Sequence, residues 1–165
     1  MSKQEIIISD VFQSPTHGRV DFDDVMTLLL RYISKEPNKQ YRIVVGTDST
    51  LGRDGAEFVS AIVIHRVGSG GVYFWNGDAV PKRFVLRDRM YQEAFRSLLV
   101  AQKLVLELKN RHFLEYEMEI HVDIGQNGDT RDMIQEVVGM IRGSGFTVRT
   151  KPDAYAASKV ADRHT

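Results

Sequence analysis

Apolar and polar positions divide the chain into segments of two different periods. In Arg42-Ile43-Val44-Val45-Gly46-Thr47-Asp48-Ser49-Thr50 the apolar residues follow one another without polar alternation, which predicts a central strand covered on both faces. Phe58 to Val67 is rich in β-branched residues, and Val72-Tyr73-Phe74-Trp75 is aromatic and extended. The Gly-rich links over 52–55 and 68–71 join these three strands as hairpins. The period then changes to that of a helix. From Leu86 to about His112, the residues Met90, Ala94, Leu98, Ala101, Val105 and Leu108 recur on one face. Glu115 to Ile124 alternates again, with Ile120, Val122 and Ile124 on one side and His121 and Asp123 on the other. After the turn Gly125-Gln126-Asn127-Gly128, Asp129 or Thr130 caps a helix that carries Met133, Ile134, Val137, Val138 and Ile141 and ends at Gly143-Ser144-Gly145. Phe146 to Thr150 reads as a fifth strand, and Asp153 caps a last helix through Ala154, Ala157, Val160 and Ala161.

Ahead of the first core strand lie a short apolar run, Ile6-Ile7-Ile8, and a turn-rich stretch, Ser14-Pro15-Thr16-His17-Gly18. Asp21 then caps a helix with Phe22, Val25, Leu28, Leu29 and Tyr32 at helical spacing. Asp23 and Asp24 stand at its positive end, and it stops before Pro37. No repeat or low-complexity linker interrupts the chain. We therefore expect an N-terminal extension over 1–40, with one helix packed on the core, and a domain over 41–165 in the order βββαβαβα. Strands separated by helices are parallel and strands joined by hairpins are antiparallel. The expected α/β fold is a mixed five-stranded sheet, three antiparallel strands followed by two parallel ones, with flanking helices. The first and fourth core strands lie side by side and parallel.

Composition narrows the chemistry. A chain of 165 residues suits one domain with a sizeable core. It has no cysteine, which excludes a disulfide framework, a thiolate metal site and a cysteine nucleophile, so any metal is held by oxygen or imidazole. Lys and Arg total 22 against 22 for Asp and Glu, leaving no global positive field. The apolar runs are too short for a membrane span, and Met1-Ser2-Lys3-Gln4-Glu5 does not resemble a targeting signal, so a cytoplasmic protein is expected.

In the expected sheet Asp48 and Asp123 emerge at the same end of adjacent parallel strands, where open α/β sheets bind ligands. Two neighbouring carboxylates call for a counter-charge, and Mg²⁺ or Mn²⁺ suits oxygen ligands with positions left for a phosphate. Taken singly, each Asp also fits a turn residue bonded to nearby amides. Glu93 lies about two turns into the long helix, on the border of its buried stripe. From there it can reach the strand ends, unless it is a solvated partner of Arg89 or Arg96. Asp88 is the rival donor. Asp162, on the last helix, can bring a fourth carboxylate back over the same end, and Asp153 is its rival.

Gly46-Thr47-Asp48-Ser49, His121-Val122-Asp123-Ile124-Gly125 and Lys159-Val160-Ala161-Asp162-Arg163-His164-Thr165, in this order, resemble the bacterial YkuK-like family of ribonuclease H-like proteins. The resemblance spans roughly Tyr41 to Thr165. It implies a βββαβαβα core with four clustered acids, on the first strand, the first core helix, the fourth strand and the last helix. Asp48, Glu93, Asp123 and Asp162 fall on those elements. The expected activity is that of a metal-dependent nuclease or related phosphodiester-cleaving enzyme acting on RNA, DNA or a hybrid. Its four acids would be the catalytic and metal ligands of a two-metal Mg²⁺ or Mn²⁺ site.

Ser49, Arg87, Arg163 and His164 are the candidates for contacting substrate. Lys82, Arg83, Arg87 and Arg89 form the only local basic cluster, and His121 is either a packed strand residue or a partner of Asp123. A different class of function is a catalytically weak module that keeps the fold and docks nucleic acid or a protein. The actin-like ATPases share the core, but Gly46-Thr47-Asp48-Ser49 inverts the order of their phosphate loop and the chain supplies one of their two domains.

Overall fold

The computed structural model describes residues 6–124, 131–151 and 154. Its elements are β1 (Val11–Ser14), β2 (Gly18–Asp21), α1 (Phe22–Lys35), β3 (Tyr41–Leu51), β4 (Ala56–Arg66), β5 (Gly71–Val80), α2 (Leu86–Asn110), β6 (Glu117–His121), a single 3₁₀ turn (Arg131–Met133), α3 (Ile134–Gly143) and β7 (Thr147–Arg149). The strands form one sheet in the order β2-β1-β5-β4-β3-β6-β7. The long strands β3, β4 and β5 are antiparallel, and β6 and β7 add parallel to β3.

The sheet thus has seven strands rather than the five expected from the pattern. The two additional strands come from the N-terminal extension. Val11–Ser14 and Gly18–Asp21 form a hairpin that joins the sheet through Gln13 opposite Trp75. Each is four residues long, too short for alternation to stand out from a turn-rich sequence. The apolar Phe12 and Val20 are nevertheless buried, and Gly18 takes the positive φ of 69° that the connection requires. Close approach also demands glycine at the start of β5, where a Cβ on Gly71 would stand 2.6 Å from the Ile64 carbonyl oxygen.

Helix α1 starts where its sequence directs. The Asp21 side chain accepts from the Asp24 amide at 2.7 Å and Asp24 returns the bond to the Asp21 amide at 3.1 Å, a reciprocal capping box. Val25, Met26, Leu29 and Ile33 then bury one face. Its C-terminal end is tied to the sheet through Tyr41, whose hydroxyl donates to the Glu36 carbonyl at 2.7 Å. Arg66 completes the joint: its guanidinium lies 4.0 Å from the Tyr32 ring centroid, donates to the Tyr41 hydroxyl at 3.0 Å and pairs with Glu36 at 2.6 Å. The extension therefore shares the core of the sheet.

Helix α2 crosses from β5 to β6 over one face of the sheet. Its 25 residues span about 37 Å at 1.5 Å each, and the 11 residues of β3 reach about 36 Å in an extended chain, so helix and strand are matched in length. The buried stripe of α2 holds Met90, Ala94, Leu98, Ala101, Leu104 and Leu108, and also the polar residues Glu93 and Ser97. The helix predicted to follow Asp153 and the caps predicted at Asp129 or Thr130 lie outside the described residues.

Replacing Asp21 with Ala removes the cap from α1 and should cost about 1 kcal/mol in urea denaturation. An unchanged midpoint would mean that the helix start is held by packing alone.

Candidate functional site

Register brings the acids together. In the parallel pair β3–β6, Gly46 stands opposite His121. Asp48 and Asp123 lie two residues further along, on the same face as that pair by alternation. The β6 ladder ends at His121 while β3 continues to Leu51, so Asp48 lies beyond the last paired residue of its neighbour. Such a position at the carboxyl ends of strands is where an open α/β sheet builds its sites.

Glu93 approaches from the helix side. The helix runs antiparallel to β3, and four helical residues advance about 6.0 Å where two strand residues advance about 6.6 Å. Rungs therefore repeat: Ser97 donates to Thr47 Oγ1 at 2.9 Å, and Ser49 donates to Glu93 Oε1 at 3.0 Å. Thr47 is also bonded to Ser60 on β4 at 2.9 Å. This hydroxyl chain carries α2 across the sheet and places the Glu93 carboxyl at its last rung. Asp48 is fixed at the same place, its Oδ1 accepting the Ser49 amide at 2.9 Å.

Glu93 is only 5% exposed. Burial, followed by the negative charge of Asp48, pushes its pKa up to about 9. Asp123 adds to the rise, while the Ser49 hydrogen bond and the Arg89 charge oppose it. Three carboxyls of a predicted metal site are thus in electrostatic contact, with one of them held neutral at pH 7. The Arg89 Nε is buried without a hydrogen-bond partner, one helical turn before Glu93. Asp123 is differently balanced: Lys151 Nζ lies 3.0 Å from its Oδ1. Lys151 is a site residue that the sequence reading passed over. Its position follows from β7, whose parallel pairing with β6 brings the residue after Thr150 alongside Ile124.

The other candidates divide. Ser49 holds Glu93. Arg87 is engaged with Glu136 of α3 at 3.2 Å, both side chains well exposed. His121 is a packed strand histidine, 1% exposed, bonded to Glu119 at 2.9 Å and held below its ordinary pKa by burial. Burial alone would raise Glu119, but His121, Arg42 and Arg149 outweigh it and hold the carboxyl below its usual range. Asp162, its rival Asp153, Arg163 and His164 lie outside the described residues, as does the Gly125 to Gly128 turn. Among the described residues no three His, Asp or Glu side chains are gathered at distances that hold an ion. The donor set of Asp48, Glu93 and Asp123 nevertheless fits a hard divalent cation, since all its atoms are carboxyl oxygens and both aspartates interact electrostatically with Glu93. A cavity of about 470 Å³ between the β1–β2 turn, α1 and β5 is lined by none of these acids.

This topology and the acids at its strand ends define a class. The model of the ribonuclease H-like family matches residues 24–165, and the chain belongs to that family. Within it the chain is YkuK-like: it is 30% identical over 172 aligned positions to the uncharacterized protein YkuK of Bacillus subtilis (strain 168), covering 95% of this chain and 98% of that protein. A solved structure, ribonuclease H1 from the halophilic archaeon Halobacterium salinarum NRC-1, aligns at 17% identity with a TM-score of 0.38, over 73% of this chain and 98% of that one. Membership indicates a nuclease-type or nucleic-acid-related function in general, in a fold that typically works with divalent metals. No helix among the described residues is long and apolar enough to cross a membrane.

The raised pKa of Glu93 has a measurable sign. Between about pH 4.5 and 9 the folded protein keeps a proton that the unfolded chain has released. Stability without metal should therefore fall as pH rises through that window, by up to about 1.4 kcal/mol per pH unit from this group. Urea denaturation in chelator at pH 5 and pH 8 should show that fall in the wild type and a flatter profile in Glu93→Gln. Identical profiles would remove Glu93 as the titrating group.

Proposed function

We propose that this protein is a divalent-metal-dependent nuclease, hydrolysing phosphodiester bonds of RNA, DNA or a hybrid. The observation that carries the reading is the buried carboxyl of Glu93, bonded to Ser49 next to Asp48 and brought into electrostatic contact with Asp123, at the carboxyl ends of adjacent parallel strands. A cluster of carboxyls at the end of this helix crossing has no structural benefit of its own, since an apolar residue at position 93 would continue the buried stripe of α2. Perturbed carboxyls of this kind gather where a protein does chemistry.

Asp48, Glu93 and Asp123 would hold the cation together with Asp162. Mg²⁺ or Mn²⁺ held there would supply the charge for activating water and neutralising phosphoryl oxygens, as at a two-metal site. The chain's own residues orient the parts. Ser49 fixes Asp48 through its amide and Glu93 through its hydroxyl, so one residue sets the relative positions of two ligands. To serve as a third anionic donor, Glu93 would have to release its proton to solvent. Arg89, with its buried and unpartnered Nε, is available to donate to a phosphate oxygen, and Arg87 can contact the backbone further along if it leaves Glu136. Arg163 and His164 are the remaining candidates for substrate contact.

A second reading is a non-hydrolytic module that binds nucleic acid or a protein partner. The Asp123–Lys151 pair favours it, because a carboxylate already neutralised by an internal ammonium has less need of a metal. Turnover separates the two. With Mn²⁺ and single-stranded RNA, duplex DNA and an RNA–DNA hybrid as substrates, we expect cleavage of at least one. Asp48→Asn should reduce it by about a hundredfold or more while the melting temperature stays within about 3 °C. Cleavage at an undiminished rate in that variant would assign the activity to another site, and absence of cleavage on all three substrates would leave the binding module.

A further inference from the structure

Lys151 is a cation in direct contact with a candidate ligand of the site. Its place is not that of a wandering surface lysine. Past the formal ends of β6 and β7 the parallel ladder continues: the Val122 amide donates to the Arg149 carbonyl at 2.9 Å, and the Lys151 amide donates to the Ile124 carbonyl at 3.1 Å. These bonds fix the backbone on both sides of Asp123 and Lys151. The ammonium then reaches Oδ1 of Asp123 at 3.0 Å, with Asp123 about a quarter exposed and Lys151 about half exposed. The Ala154 amide donates to the Thr150 carbonyl at 3.0 Å.

We infer that Lys151 is the resident counter-ion of Asp123, a positioning residue that neutralises and orients this carboxylate until a divalent cation is bound. The inference rests on the reading of Asp123 as a metal ligand. Two charges of the same sign within one ligand shell repel, so the ammonium sets a threshold that a divalent cation must overcome to claim Asp123. A side chain kept only for stability would leave the metal affinity where it was when removed. A counter-ion would not.

The test is Mn²⁺ binding by isothermal titration calorimetry to the whole chain, as wild type, Lys151→Met, Lys151→Arg and Asp123→Asn. Lys151→Met keeps the length of the stem and removes the charge, and should bind Mn²⁺ about threefold to tenfold more tightly than the wild type. Lys151→Arg should remain within about twofold of the wild type, because the charge is retained. Asp123→Asn should lose most of its affinity. If Asp123→Asn is weakened while Lys151→Met is unchanged or weaker than wild type, the counter-ion role is overturned and Asp123 keeps its place as a ligand. If Asp123→Asn binds as well as wild type, the reading of Asp123 as a ligand fails, and the counter-ion role fails with it.

Discussion

The parallel pairing of β3 with β6 is the constraint from which the rest follows. Two parallel neighbours cannot be joined by a hairpin, so the chain must leave the end of the antiparallel meander and return across one face of the sheet. A helix of 25 residues makes that return, and its length matches the strand beneath it. Once α2 lies antiparallel to β3, the rungs Ser97–Thr47 and Glu93–Ser49 fix its translation along the strand. The Gly46–His121 register fixes Asp123 beside Asp48. One pairing thus delivers three carboxyls from distant parts of the chain to one end of the sheet.

That convergence is electrostatically unfavourable without a cation, and the fold lowers the cost locally. Glu93 is taken out of water far enough that its proton stays on at neutral pH, so it contributes no charge. Asp123 is paired with Lys151 across an extension of the β6–β7 ladder. On the same face, Glu119 is satisfied by His121, Arg42 and Arg149 and serves as a structural acid. Burial is similar for Glu119 and Glu93, at 7% and 5% exposure, but their pKa shifts run in opposite directions: His121, Arg42 and Arg149 outweigh burial at Glu119, whereas at Glu93 the Asp48 and Asp123 charges add to burial and outweigh Ser49 and Arg89. The contrast separates an acid whose partners within the sheet satisfy it from the acid proposed as a metal ligand.

Much of this was legible in the sequence because the long elements carry strong periods. The uninterrupted apolar run of β3, the alternation around Ile120 and Val122, and the stripe of α2 each express burial directly, and the Asp21 cap expressed a local hydrogen bond. Glu93 was legible as a border position of that stripe. The β1–β2 hairpin was not, because four-residue strands with one or two buried side chains leave too few positions for a period. Lys151 was also hidden: it acts through a parallel register between strands that are far apart in the chain, and nothing within its own neighbourhood marks it. The membership in the ribonuclease H-like family, expected from the motifs around Asp48, Asp123 and Asp162, is shown by the match over residues 24–165.

The central claim is that the site stores a proton on Glu93 which a divalent cation removes. It is tested most directly by counting protons. Mn²⁺ binding measured calorimetrically at pH 7 in buffers of different ionisation enthalpy should release about one proton per protein, because a ligand must be deprotonated to bind. In Glu93→Gln the release should vanish. Binding without proton release in the wild type, or the same release in both proteins, would contradict the account.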